Sequence, residues 1–269
     1  MLIGVNDVQL DQVALTGRLT AALRARESAR PDRLFTDPYA SALAGLAGER
    51  LLAAFGDNST ISVRTKWLDD QLGRLGPSQL VIVAAGMDSR AWRLEVLSGA
   101  EVYELDRPEV LRLKESLIDA PPLGVRTPVG VDLAGDWVPA LRAAGFDAAR
   151  PTVWTVEGLT QYLTAADVFA LLDGIAGLSA VGSHLLIDLV GQSLLDSAAM
   201  KPMLDHFAAM DMTWQFGTDE PESLLGNRGW SCEVSLFASV GNDYGRWPYP
   251  SVPRDTPGVG QGYLVHAHR

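Results

Sequence analysis

The chain has 269 residues, 47% of them hydrophobic, enough to bury one large α/β core with room for a cap, which excludes a disordered tail or linker. Its 33 acids against 22 lysines and arginines give a formal charge of −11, so a nucleic-acid backbone would meet repulsion and is not the expected partner. The lone Cys232 cannot form an internal disulfide, no Cys/His spacing of a zinc site occurs, and no apolar run approaches the ~18 residues of a membrane span, so neither metal nor membrane is expected.

The opening MLIGVNDVQLDQ carries acids where a secretory signal carries bases, which makes a reducing cytoplasm the expected compartment. Residues 11–30 place Val13, Leu15, Leu19, Ala22 and Leu23 at helical spacing, and Pro31 would stop that helix. Pro38 can open a second helix, and Ser59 can cap a third with the stripe Val63, Trp67, Leu68, Leu72 and Leu75. Residues 1–76 thus read as a helical extension. From Leu80 short β-branched runs (80–85, 101–105, 125–131, 151–156 and 184–190) alternate with amphipathic stretches, the pattern of a mostly parallel sheet. Thr164 and Asp167 make a capping-box-like start to a helix with Phe169, Leu171, Leu172, Ile175 and Leu178. Residues 193–216, rich in Met and aromatic side chains, read as a helical cap over the cleft. CEVSLFASV and GYLVHAHR then return as an antiparallel pair at the sheet's end, so the core comprises 77–192 and 217–269 of one domain.

Three successive strands end in an acid: Asp106, Asp132 and Glu157. Ligands of open parallel sheets sit beyond the carboxyl ends of the strands, so these carboxylates line one cleft. The turn VIVAAGMDSR keeps one glycine, Gly86, where a dinucleotide fold wants three, which tilts the reading from a nicotinamide cofactor toward S-adenosylmethionine, a ligand without pyrophosphate. Asp106, 20 residues beyond Gly86, can accept from a ribose diol or cap the helix opening at Arg107-Pro108. Asp132 can accept from an adenine amine while Leu133 packs on the ring, or can cap the next turn. Glu157 can hold an amino-acid ammonium or act as a general base.

Arg64, in SVRTKW, is either a clamp for the cofactor's carboxylate or a surface arginine, and Arg90 reads as structural. His184, His266 and His268 read as packing or solvent-facing residues, whereas His206 lies in the cap and can touch substrate. Met200, Met203, Met210, Met212, Trp214 and Phe216 read as cap core, substrate wall or both. The residues expected to meet the acceptor are Tyr162, Met203, His206, Phe207, Met210 and Trp214.

The segments RPDRLFTDPYA, SVRTKWLDD, VIVAAGMDSRAWRL, VYELDRPEVLRLK, VGVDL and TVWTVEGLTQYL resemble, in order, those of the bacterial relatives of leucine carboxyl methyltransferase, class I S-adenosylmethionine-dependent methyltransferases. The resemblance implies a Rossmann-like α/β sheet, S-adenosylmethionine as cofactor, and contacts to it from Arg64, Gly86, Asp106, Asp132, Leu133 and Glu157. Ala84 departs from the family's glycine two positions before Gly86, and Arg24 or Arg26 is left as the source of a further basic contact.

Methyl transfer needs nucleophile, methyl carbon and sulfur in line, about 3–3.5 Å apart, and little acid-base machinery. A carboxylate acceptor needs no base, whereas a phenol would draw on Glu157, Tyr162 or His206. The expected activity is O-methylation of a small acid or phenol, such as a secondary metabolite. A protein C-terminal carboxylate, a nicotinamide oxidoreductase and a non-catalytic cofactor-binding regulator are the alternatives, and the oligomeric state is not fixed by the sequence.

Overall fold

A computed structural model describes residues 12–269; the targeting-signal reading of residues 1–11 and the Val13 side chain lie outside the described residues. Three helices come first, α1 (Gln12–Ser28), α2 (Ala40–Phe55) and α3 (Ser59–Leu75). The α3 cap is a correction: Asn58, in extended backbone, accepts the Thr60 N–H at 3.0 Å, and Ser59 is already inside the helix. The α3 stripe Val63, Trp67, Leu68 and Leu72 is buried in the core, as its spacing requires.

Seven strands follow, β1 (Gln79–Val83), β2 (Glu101–Asp106), β3 (Val125–Gly130), β4 (Val153–Val156), β5 (His184–Val190), β6 (Ser231–Leu236) and β7 (Gly262–His268), in the order β3-β2-β1-β4-β5-β7-β6. β1 to β5 are mutually parallel, and β7 runs antiparallel to both β5 and β6. The order reverses at β1, which lies between β2 and β4 and opens a crevice at their carboxyl ends. Strand alternation feeds two cores. Leu80, Ile82, Val102 and Leu186 face α1–α3, α4 (Arg90–Arg93) and α5 (Pro108–Leu117). Val81, Val83, Leu105, Trp154 and Ile187 face α6 (Val138–Ala143) and α7 (Ala165–Gly177).

In α7 the Thr164 hydroxyl accepts the Asp167 N–H at 3.2 Å, and Val168, Leu171, Leu172 and Ile175 are buried. Phe169, expected on that stripe, is 42% exposed, because Val168 takes the inward position and Phe169 lies under the Arg228 guanidinium. The expected strand through CEVSLFASV stops at Leu236, which pairs with Tyr263; β7 offers only Gly262 beyond it, and the chain turns into a helix at Phe237–Asp243. Between β5 and β6 lie α8 (Gln192–Leu195), α9 (Lys201–Ala208) and α10 (Pro221–Gly226). No helix among the described residues is long and apolar enough to cross a membrane.

One ion pair ties α5 to the sheet: Lys114 Nζ lies 2.8 Å from Glu104 Oε2 on β2, with both side chains fully buried, and Lys114 also donates to the Ala85 carbonyl. Arg126 on β3 donates to the same Glu104 oxygen. Neutralising one partner strands the other in the interior. Glu104→Gln is therefore expected to lower stability by about 3–5 kcal/mol, read as a drop in the urea midpoint with unchanged m-value.

Candidate active site

At the switch point a cavity of about 370 Å³ opens between the carboxyl ends of the strands and α1. This lies within the ordinary range for a small-molecule site. Arg64, Gly86, Asp106, Asp132, Leu133, Glu157 and Tyr162 all line it, so positions 98 residues apart in sequence share one wall. Thr16, Gly17, Thr20 and Arg24 on α1 close it from the other side.

The floor is an alternating row of guanidinium and carboxylate groups. Arg64 Nε donates to Glu157 Oε1 and its Nη1 to Asp188 Oδ2, each at 2.9 Å. Arg90 Nη1 donates to Glu157 Oε2 at 2.7 Å and its Nε to Asp69 Oδ1 at 2.7 Å, and Asp88 pairs with it as well. Arg93 grips Asp69 bidentately at 2.7 and 3.0 Å, and Asp37 receives Arg24 at 2.9 Å and the Ser89 hydroxyl at 2.7 Å. Burial alone pushes the Glu157 carboxyl up; Arg90 and Arg64 outweigh it and hold it down to about 2. Burial leaves the Asp188 carboxyl above its ordinary value although Arg64 and the Gly158 N–H, at 2.7 Å, draw it down.

Backbone conformation makes room for this row. Gly158 has φ +64°, and a β-carbon there would come within 3.0 Å of Arg64 Nη1, so only glycine lets the guanidinium lie against the turn. Gly86 has φ +42°, and its N–H points to Asp106 Oδ2 at 2.7 Å while Arg107 N–H binds Oδ1 at 2.7 Å. Burial raises the Asp106 carboxyl above its ordinary value, and these two N–H groups oppose that rise. A carboxylate accepts about four hydrogen bonds, so Asp106 retains capacity for a ligand diol. Asp132 is exposed and accepts the Ala134 N–H at 3.0 Å, leaving its second oxygen at the cavity mouth beside Leu133.

The cap candidates stand apart. Met203, His206, Phe207, Met210 and Trp214 do not line the cavity; His206 and Phe207 pack on Phe55 at the end of α2, and Trp214 packs edge-on to Tyr162. Of the two candidate basic residues, Arg24 lines the cavity and Arg26 sits outside with Asp57. The sequence reading missed Asp188, Asp69, Asp88, Asp37 and Arg93. Asp188 carried a visible signal, an acid near the end of the apolar strand HLLIDLV; the others lie on helices and turns where a charged residue is unremarkable in sequence. His184 and His266 share a hydrogen bond of 3.0 Å well away from the cavity lining.

Ala84, the departure from the family's glycine, has φ +55°, a region that costs a side-chain-bearing residue energy. Ala84→Gly is expected to raise stability by about 0.5–1 kcal/mol, seen as a higher Tm in thermal unfolding. Glu157 has a folded pKa of about 2 against 4.5 for the free side chain, so its stabilising contribution is present above about pH 4.5 and is lost as pH falls toward about 2. Glu157→Gln is expected to lower stability at pH 7 and to flatten the loss between pH 4.5 and 2, measured by denaturant unfolding across that window.

The sequence model of the leucine carboxyl methyltransferase family matches residues 18–176. A relative from Rhodococcus jostii, provisionally named an S-adenosyl-L-methionine-dependent methyltransferase, is 37% identical over 91% of this chain and 92% of its own. Another so named, from Mycolicibacterium smegmatis, is 40% identical over 87% of this chain and 88% of its own. Among solved structures, a DUF574 family protein from Streptomyces avermitilis shares the fold with TM-score 0.61 at 14% identity, covering 94% of this chain and 97% of that one. The match across more than half of the sequence, with the relatives' identity over nearly all of it, means that the chain belongs to the leucine carboxyl methyltransferase family.

Proposed function

We propose that this S-adenosylmethionine-dependent methyltransferase methylates an oxygen of a small-molecule carboxylate or phenol. The observation that carries the reading is the single cavity shared by Arg64, Gly86, Asp106, Asp132, Leu133 and Glu157. Its donor set fits the cofactor. The row holds four guanidinium groups (Arg24, Arg64, Arg90, Arg93) and five carboxylates (Asp37, Asp69, Asp88, Glu157, Asp188), one negative charge in excess, to which the cavity-lining Asp106 and Asp132 add two negative charges and Arg107 one positive. A ligand of net positive charge is favoured there.

In this reading Asp106 accepts from the ribose diol, Asp132 and Leu133 meet the adenine, and Arg64, with Nη2 outside the bonds named above, takes the carboxylate of the amino-acid tail. Glu157 and the neighbouring carboxylates set the potential for the tail's ammonium. When bound, S-adenosylmethionine supplies a methyl group on a sulfonium, an electrophile that needs no activation by acid.

Glu157 is a poor proton acceptor, since both its oxygens are held by guanidinium groups and its carboxyl stays ionised down to about 2. His206 is exposed on α9 and outside the cavity lining. Tyr162 lines the cavity, but a tyrosine hydroxyl takes a proton strongly only after losing its own, so an acceptor already ionised at neutral pH is favoured over a neutral alcohol. The nicotinamide alternative has no support from the single-glycine turn or from the family. A protein C-terminal carboxylate shares the favoured chemistry and is the second reading, supported by the family match.

Asp106→Ala removes the diol's acceptor and is expected to weaken binding of S-adenosylhomocysteine by about 1–3 kcal/mol in titration calorimetry. Unchanged affinity would remove Asp106 from the cofactor site.

A further inference from the structure

Asp188 has no place in the cavity lining, yet it holds two residues that do. Its Oδ2 accepts Arg64 Nη1 at 2.9 Å and its Oδ1 accepts the Gly158 N–H at 2.7 Å. Arg64 comes from α3 and Gly158 from the turn after β4, so one carboxylate on β5 ties two other elements to a single point. The Asp188 side chain is 8% exposed, and it acts on a ligand only through the groups it holds.

Asp188 also stands beside Glu157 in the sheet. β4 and β5 pair in register up to Val156 opposite Ile187, and Glu157 and Asp188 are the next residues on these adjacent strands. Neighbouring buried carboxylates repel: burial, and then the Glu157 charge, push the Asp188 carboxyl up against the pull of Arg64. Arg64 offsets this by giving each acid a different nitrogen, Nε to Glu157 Oε1 and Nη1 to Asp188 Oδ2. Two bonds on two nitrogens of a planar group fix its plane, whereas one bond leaves the guanidinium able to swing about Cδ–Nε. Glu157 already supplies Arg64 with an opposite charge; what the second carboxylate adds is orientation.

We infer that Asp188 is a positioning residue for the amino-acid end of the cofactor, fixing the plane of the Arg64 guanidinium so that it meets the cofactor's carboxylate. This rests on the cofactor reading above and deepens it. The residues assigned to the adenosyl half belong to a separate set of bonds, Asp106 with the Gly86 and Arg107 N–H groups and Asp132 with the Ala134 N–H. A change at Asp188 is therefore felt at one end of the ligand only.

The test is titration calorimetry of the full chain with three ligands: S-adenosylhomocysteine, its decarboxylated form, which keeps the ammonium, and methylthioadenosine, which has neither group. Asp188→Asn keeps the side chain's shape and an acceptor for the Gly158 N–H, and sets an amide NH₂ against Arg64. It is expected to lower affinity for S-adenosylhomocysteine about tenfold, with the other two ligands within about twofold of wild type. In an Arg64→Gln background the same substitution is expected to change S-adenosylhomocysteine affinity by less than about twofold, because the residue it acts through is gone. Asp188→Glu retains the charge and so covers the case in which the neutral variant fails to fold. Its carboxylate, one methylene longer, is expected to displace the guanidinium and give the same selective loss, about fivefold. An equal loss for all three ligands, an equal loss for S-adenosylhomocysteine and its decarboxylated form, undiminished binding in both variants, a full further loss in the Arg64→Gln background, or unfolding of both variants overturns the inference alone. Wild-type protein that binds no S-adenosylhomocysteine, or binds it no tighter than the decarboxylated form, overturns the cofactor assignment of Arg64, and this inference with it.

Discussion

Glu157 held between Arg64 and Arg90 is the interaction on which the rest of the site depends. Arg64 and Arg90 are buried and Glu157 is largely so, and a buried charge survives only when its partners supply both the opposite charge and the hydrogen bonds that water has lost. Here no pair is sufficient alone. Arg64 needs Asp188 as well as Glu157, and Arg90 needs Asp69 and Asp88. The result is a chain of mutual obligations linking α3, the first turn, β4 and β5. It explains why the helical extension is integral to the site: Arg64 and Asp69 belong to α3, and Arg24 on α1 closes on Asp37 and on the Met87 carbonyl.

That electrostatic constraint also fixes backbone. The Arg64 guanidinium lies where a side chain on residue 158 would be, so the turn after β4 takes a left-handed glycine, and the Gly158 N–H is then free to bind Asp188. At the first turn, the Gly86 N–H locks onto Asp106, and Lys114 holds the Ala85 carbonyl from below. The two turns flanking the crevice are therefore each pinned by a buried ion from a different layer. A cofactor entering such a site meets groups already oriented, and little conformational freedom remains to be lost on binding.

Much of this was legible in the sequence, and the boundary of legibility is physical. Strand alternation and helical stripes are local periodicities, so β1 to β5, α3 and α7 could be read within a few residues. Asp106, Asp132 and Glu157 announced themselves because an acid closing an apolar strand has no packing reason to be there. The partners of Glu157 were hidden because pairing is a property of the tertiary structure: Arg90 reads as a structural residue, yet it lines the cavity, and nothing in SRAWR says that Asp69 and Asp88 flank it. CEVSLFASV failed as a single strand for a similar reason. Its second half has strand-like composition, but β7 supplies no backbone opposite it beyond Gly262.

The ion row and the aromatic cluster beyond Tyr162 answer to different forces. On the cofactor side, replacing one charged residue leaves another uncompensated, so the constellation resists piecemeal change. Outside the cavity, Phe55, His206, Phe207 and Trp214 meet through ring packing. Apolar contacts are non-directional and tolerate swaps of similar volume. The cluster is built from the end of α2, α9 and the segment that follows it, outside the strands that carry the ion row. Side chains there can change size and shape without disturbing Glu157 or its arginines. Charge interlocked across α3, the first turn, β4 and β5 is therefore fixed as a unit, whereas the apolar surface beside it is free to drift.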